Sequence, residues 1–396
     1  MSSATDIRRL PDGAFSRKTQ SLIAIATASL FALALLLLTA AASATPRSDL
    51  RSGEEIYRAA CAGCHGGDGT GAERTLIGFD PPDTFPDFTR CDQTTPEEDV
   101  AWTSIIRDGG PSRGFAQIMP AFGDALTPAQ IASVLARLRG FCKEEGWPRG
   151  ELNLPRALAT EKAFPESETV ITSAVNAQGA GGVDSELAYE YRLGKRDQLE
   201  IAVPFAFVHK ESGGQTGGIG DLALGLKHVA WSALAPDGQR GAILSFQGEI
   251  ALPTGDESKG IGSGETVFTA FAAYDALFPG NAFLQLQGGV DIPRHTGEVP
   301  RIAFLRAALG KSVSERQGYG RTWSPMIELT GERDLEDGAR TQWDVIPELQ
   351  VTLNERQHIR ADLGVRLPVT EKEGRPRQLM LYFLWDWADG GLREGW

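Results

Sequence analysis

Three patterns of hydrophobic and polar positions succeed one another along the chain. The first is an almost unbroken apolar run from Leu22 to Leu38, preceded by Arg8, Arg9, Arg17 and Lys18 and followed by Ala42-Ser43-Ala44. A basic segment, an apolar stretch and a small-x-small site are what a signal peptidase recognises, so residues 1–44 read as an export signal cleaved after Ala44. The run is long for such a signal, and retention as an anchor is the alternative. The second pattern is helical. Ser52-Gly53-Glu54-Glu55 supplies a cap and an acidic first turn for a helix running into Cys61, and Pro96-Glu97-Glu98-Asp99 opens another through Trp102, Ile105 and Ile106 that stops at Asp108-Gly109-Gly110. Thr127-Pro128-Ala129-Gln130 caps a third, whose Ile131, Val134, Leu135 and Leu138 fall on one face.

From about residue 169 the period drops to two. Leu199, Ile201, Val203, Phe205 and Phe207 alternate with Glu200, Ala202, Pro204 and Ala206. Trp343, Val345, Pro347, Leu349 and Val351, then Ile359, Ala361, Leu363, Val365 and Leu367, do the same against polar neighbours. Strands of this kind have one apolar and one polar face. A soluble sandwich would also alternate, but about twelve strands of roughly ten residues suit tilted membrane-spanning strands. The connections point the same way. Gly194–Asp197, Phe278–Asn281 and Asn354–Arg356 are short, whereas Lys210–Gly218, Pro253–Gly264, Gly331–Arg340 and Val369–Arg377 are long, and the two kinds largely alternate. Outer-membrane barrels have short periplasmic turns and long external loops, so the expected fold is a small all-α domain at 45–142, a linker at 143–168 and an antiparallel β-barrel at 169–396. Trp231, Trp323, Trp343, Trp385 and Trp387 lie near strand ends, as an aromatic girdle would. The polar faces carry Glu190, Arg192, Glu200, Glu249, Asp291, Glu328, Asp344, Glu348, Arg360, Asp362 and Arg366, which would line the lumen as ion-paired filling or as a narrow pore.

Composition narrows the partners. A net charge of -13 over 396 residues argues against nucleic acid, which needs clustered Lys and Arg. An acidic surface suits solubility or a basic redox partner.

The candidate chemistry is concentrated before residue 143, where all four cysteines lie. Cys61-Ala62-Gly63-Cys64-His65 has the spacing at which two thiols add to haem vinyl groups while the adjacent imidazole faces the iron. A redox disulfide or half a zinc site would share the Cys pair, but Gly66-Gly67-Asp68-Gly69 follows where a thioredoxin-like helix would continue, and no second metal-type pair follows. A second axial ligand follows by elimination. His65 is the only histidine before His209, and Met119, in Ile118-Met119-Pro120-Ala121-Phe122, is the one methionine between the haem motif and the strands. A thioether is a soft ligand suited to haem iron, and core filling is its plainer role.

On these residues, 52–142 resembles a class I cytochrome c domain, with Cys61, Cys64 and His65 matching its haem-attachment motif and Met119 its distal ligand. The resemblance implies one covalently bound haem c and reversible single-electron transfer. Cys91 and Cys142, not used by the haem motif, are expected to form a disulfide in an oxidising periplasm, with two free buried thiols as the alternative. Gly218-Ile219-Gly220-Asp221-Leu222 and Leu252-Pro253-Thr254-Gly255-Asp256, with Gly260-Ile261-Gly262-Ser263-Gly264, are similar to recurrent segments of the outer-membrane family associated with the phenol meta-degradation pathway. That likeness implies a barrel rather than a substrate. His209, His228, His295 and His358 show no metal-type spacing.

The function these readings favour is an electron carrier rather than an enzyme. It would sit in the outer membrane among lipid, with its haem domain in the periplasm and a periplasmic redox protein as partner. The alternative is a channel or transporter for small compounds, aromatic ones among the candidates, with the haem domain as plug or redox sensor. A haem peroxidase or oxygen binder would need a five-coordinate iron, which His65 and Met119 together would preclude.

Overall fold

The computed structural model describes residues 49–396 apart from 74–76, 83–84, 178–180, 210–213, 298 and 317–318. The export signal expected at 1–44 lies outside the described residues.

The first helical stretch starts where the sequence places its cap. Ser52 Oγ accepts from the Glu55 amide at 3.2 Å, and the Glu55 carboxylate accepts from the Ser52 amide at 3.0 Å. This reciprocal box satisfies two donors that a bare helix end leaves unpaired. Helix α1 runs from there as Gly53–Ile56, widens into a π turn at Tyr57–Cys61 and closes as an α turn at Ala62–His65. The one-turn α2, Cys91–Thr94, has no counterpart in the sequence reading. Helices α3, Asp99–Asp108, and α4, Pro128–Arg139, occupy the expected places, and Thr127 caps α4 with a second box closed by Gln130. Gly53 lets α1 and α4 cross backbone to backbone, since a Cβ there would lie 1.9 Å from the Ser133 carbonyl oxygen. Ile56, Tyr57, Phe88, Ile106, Leu126, Ile131, Val134, Leu138 and Phe141 form the small core around that crossing. Cys91 and Cys142 are joined by a disulfide with Cα atoms 5.1 Å apart, tying the chain just after α4 to the start of α2.

The strands close into a barrel. In chain order they are β1 Glu168–Asn176, β2 Gly182–Leu193, β3 Asp197–His209, β4 Gln215–Ile219, β5 Leu222–Leu234, β6 Gly241–Leu252 and β7 Val267–Phe278. They continue as β8 Ala282–Pro293, β9 Ile302–Lys311, β10 Val313–Arg316, β11 Tyr319–Asp334, β12 Gln342–Thr352, β13 Ile359–Pro368 and β14 Gln378–Asp386. Twelve of these form an antiparallel ring, closed where β1 pairs with β14 and β9 with β11. The two short strands are appendages, β4 on β3 and β10 on β11. Two of the long connections are therefore partly strand: β4 occupies the end of Lys210–Gly218, and β11 continues through Asp334.

The barrel has its apolar side outward. Phe207, Leu226, Phe246, Leu309 and Leu363 are each more than half exposed, whereas Glu190, Asp275, Gln285, Ser324 and Glu328 are fully buried on the inner face. This is the reverse of a water-soluble sheet, whose apolar face is covered, and it is what a barrel in lipid requires. Trp231, Trp323, Trp385 and Trp387 lie at the ends of β5, β11 and β14 that face the short turns, with Trp387 stacked on Tyr189 and Tyr191 at 5.6 and 5.8 Å. Trp343 starts β12 at the opposite end.

The stretch between helices and strands does more than connect them. After a 3-10 turn at Gly150–Leu152 the chain enters the barrel at its short-turn end, and it emerges there again as β1. Leu152, Leu154, Ala157, Ala163 and Phe164 pack against inward-facing Val229, Ile243, Phe271, Phe283 and Met326. Leu158 reaches mid-strand, where Gly364 leaves room for it: a Cβ at Gly364 would lie 2.5 Å from Leu158 Cδ1. The lumen is thus filled from one end by the protein's own segment.

Candidate cofactor site

The CxxCH motif sits where α1 ends, and its ring and thiols are held in distinct settings. His65 is buried between Phe85, stacked at 4.9 Å, and Phe88 at 5.0 Å. Its imidazole makes no hydrogen bond among the described residues, and Nδ1 is buried without a partner. Burial pushes the ring's pKa down to about 4, so it is neutral and its lone pair is available at physiological pH. Cys64 is exposed and Cys61 half-buried, and both are free. Burial, with the neighbouring Cys64 adding to it, pushes the Cys61 thiol up to about 11, which leaves little thiolate for disulfide exchange.

The backbone around the motif is fixed from two sides. The Tyr57 hydroxyl, buried under Phe141, donates to the Gly66 carbonyl at 2.6 Å, and burial raises that phenol to about 12. Gly71 and Ala72 amides return to the His65 and Cys64 carbonyls, each at 2.9 Å. Gly66 and Gly69 make this reversal at φ 74 and 86, and a side chain at Gly69 would strike Phe141. One nitrogen and two sulfur donors, unengaged by other protein groups and presented on a rigid turn, fit a thioether-linked haem with an imidazole ligand.

Met119 lies in the loop between the 3-10 turn Gly110–Arg113 and α4, half-buried. The loop is strapped to the end of α3: Met119 O accepts from the Gly110 amide at 3.0 Å, and the Phe122 amide donates to Ile106 O at 3.0 Å.

Three of the inward carboxylates foreseen on the strands, Glu190, Glu328 and Glu348, bond the segment that fills the barrel, whereas Glu200, Glu249, Asp291 and Asp344 bond other residues of the wall and loops. Glu348 accepts from the Leu158 amide at 3.1 Å, and Glu328 accepts from the amides of Ala159 and Thr160 and from the Thr160 hydroxyl. Asp275 and Gln198, which the sequence reading did not single out, accept from the Ala163 and Glu166 amides. Arg156 donates to Glu168 and Glu190 and pairs with Glu161, and Lys162 pairs with Glu166. Glu161, Glu190 and Glu200 are the one grouping of three metal-type ligands among the described residues, and Arg156 and Lys227 already face it. Three of the downstream histidines have ordinary partners. His228 and His295 pair with Asp197 and Glu265, and His358 bonds Asn354 and the Gly391 carbonyl.

At the far end, the glycine-rich segments form one knot. The Asp221 carboxylate accepts from the Gly255 amide at 2.9 Å and from the Ser263 amide and hydroxyl, each at 2.7 Å. Gly255 and Gly262 approach so closely that a Cβ on either would overlap the other's backbone.

Comparison with known proteins bears on the helical part. Residues 48–136 match the family model described as cytochrome C oxidase, cbb3-type, subunit III. The helical unit is therefore a cytochrome c domain. No curated protein matches the chain in sequence. Among solved structures, an outer-membrane channel from Pseudomonas putida F1 is similar at 15% identity and TM-score 0.39, over 59% of this chain and 99% of that one. The KdgM porin is similar at 8% identity and TM-score 0.34, over 55% and 98%. Outer membrane phospholipase A from Escherichia coli is similar at 9% identity and TM-score 0.30, over 57% and 94%. The outward apolar belt described above, rather than these distant likenesses, carries the membrane assignment.

Proposed function

We propose that this chain is a c-type cytochrome held at the outer membrane by a barrel that its own linker keeps closed. Cys61 and Cys64 would hold one haem covalently and His65 and Met119 would offer ligands to its iron, for single-electron exchange between a periplasmic donor and an acceptor. Bound there, the haem supplies reversible one-electron redox chemistry. The chain's own contribution is to bury and orient the His65 imidazole, to hold the Cys64 edge exposed for a partner, and to place the Met119 loop against the end of α3.

The observation that favours a tether over a channel is the filled lumen. Residues 152–164 put apolar side chains against the inner wall and donate amides to Glu348, Glu328, Gln287 and Asp275, and just beyond them the Glu166 amide donates to Gln198. Topology supports periplasmic placement of the haem domain. The domain touches the short-turn end, where Arg113 donates to the Arg356 carbonyl between β12 and β13, and short turns face the periplasm in outer-membrane barrels. The export signal at 1–44 is part of this reading.

Conductance in planar bilayers tests the choice. The intact protein is expected to hold the current at baseline, and a variant lacking residues 152–164 to conduct. Steady unitary currents through the intact protein would instead make it a channel for small compounds, with the cytochrome domain as its regulator.

A further inference from the structure

Where the cytochrome domain meets the barrel, two arginines each bond a backbone carbonyl of the opposite part. Arg113, closing the 3-10 turn after α3, donates Nη2 to the Arg356 carbonyl at 3.1 Å. Arg356, in the turn between β12 and β13, donates Nη2 to the Gly114 carbonyl at 3.0 Å, and its guanidinium lies 4.3 Å from the centre of the Phe115 ring. The C-terminal tail completes the clasp: Glu394 takes Arg356 Nη1 at 2.6 Å and the Asp389 carbonyl accepts from it at 3.2 Å. Gly114 and Gly395 are backbone to backbone, since a Cβ on Gly114 would lie 2.4 Å from Gly395 Cα. Both arginine side chains are buried, and Arg113 Nε and Nη1 and Arg356 Nε have no hydrogen-bond partner. Stability alone would not favour burying guanidinium groups this way, because unpaired buried donors are costly.

The clasp grips the segment that carries Met119. The Phe115 amide donates to Gly110 O at 3.0 Å, and the Gly110 amide donates to Met119 O at 3.0 Å. A displacement of Gly114 or Phe115 therefore reaches Met119 through two hydrogen bonds and a few residues of chain.

We propose that Arg356 of the barrel is a positioning residue for the cytochrome domain: with Glu394 and Arg113 it fixes the Met119 loop, so that membrane anchorage sets the distal ligation and potential of the haem. This rests on Met119 being the second axial ligand. The physical reason is that thioether ligation raises the potential only while the sulfur stays within bonding reach, and a loop held at one end by a charged, desolvated clasp samples fewer positions.

The test uses the full haem-loaded chain in detergent, as wild type, Arg356→Ala, Arg356→Lys, Arg113→Ala and Met119→Leu. The readouts are the methionine-to-iron charge-transfer absorption of the oxidised protein, the reduction potential, and amide exchange over residues 110–122. Arg356→Ala is expected to weaken the absorption, lower the potential by about 59 mV for each tenfold loss of ligation preference, and speed exchange about tenfold. Arg356→Lys should restore part of each change. Arg113→Ala should reproduce the effect from the helical side, which covers the case in which the Arg356 variants fail to form a heat-resistant barrel. An unchanged absorption and potential in Arg356→Ala or Arg113→Ala overturns the proposal while leaving the ligand assignment intact. Absence of the absorption already in the wild type removes Met119 as ligand, and the proposal with it.

Discussion

The filled lumen can be tested by loosening one of its fastenings. Glu328 is fully buried and accepts three donors from the lumen-filling segment 152–164, the plug, at 3.0 Å from the Ala159 amide, 2.8 Å from the Thr160 amide and 2.6 Å from the Thr160 hydroxyl. Replacing it by alanine leaves those donors without their acceptor, at about 1–3 kcal/mol each. Water entering the vacated space offsets part of this, as does the loss of a carboxylate beside Glu348. A net cost of about 3 kcal/mol remains, which raises the population of plug-withdrawn states roughly a hundredfold at 1.4 kcal/mol per decade. The assay is thiol labelling of Ala163→Cys, a position with no exposure whose amide is held by Asp275 at 2.8 Å. With haem attached and Cys91 bridged to Cys142, that thiol is the only free one among the cysteines. A water-soluble maleimide should react slowly with Ala163→Cys alone and about a hundred times faster when Glu328→Ala is added. Rates that differ by less than about threefold, or a thiol that labels at once in the otherwise native barrel, would refute the reasoning.

Three further outcomes follow from the same geometry. Gly53→Val should prevent the α1–α4 crossing, because even a Cβ falls 1.9 Å from Ser133 O, and haem incorporation should drop to background while the barrel still resists unfolding in detergent. Replacing Cys91 and Cys142 by serine opens a link across 51 residues of sequence, and denaturant titration of the haem absorption should show a loss of about 3–4 kcal/mol. At Asp221, burial raises the carboxyl's pKa, but donation from Ser263 and Gly255 outweighs it and leaves the value lowered. A depressed carboxyl contributes stability that is present above the ordinary Asp range and lost as pH falls through the depressed value. Proteolytic protection of the 253–264 loop should therefore persist down to the ordinary Asp range and fail below it, whereas Asp221→Asn should lack the carboxylate's contribution at every pH tried.

The two halves of the molecule were legible for different reasons. Covalent haem attachment imposes a fixed local spacing, so Cys61, Cys64 and His65 stand out without any knowledge of the fold. Barrel strands must alternate because one face meets lipid and the other the lumen, which is why Glu190, Glu328 and Glu348 could be placed inward from period alone. What these carboxylates accept could not be read. The plug's Leu152, Leu154, Leu158 and Phe164 share their phase with Arg156, Thr160 and Lys162, so no apolar face shows, and its amides find acceptors 112 to 190 residues away. The clasp is more hidden still, since Arg113 and Arg356 are 243 residues apart and each binds a backbone carbonyl, which no residue type advertises. Helix α2 was missed for a simpler reason: at four residues, Cys91–Thr94 is too short to show a period.

Cys61 and Cys64 are expected to carry a haem on a chain that resides in the outer membrane. Peroxidase-type haem staining of the denatured polypeptide, taken from an outer-membrane fraction, tests it most directly. Stain that migrates with the full-length chain, and disappears when both cysteines are replaced by serine, is the expected result; an unstained chain of the correct mass would contradict it.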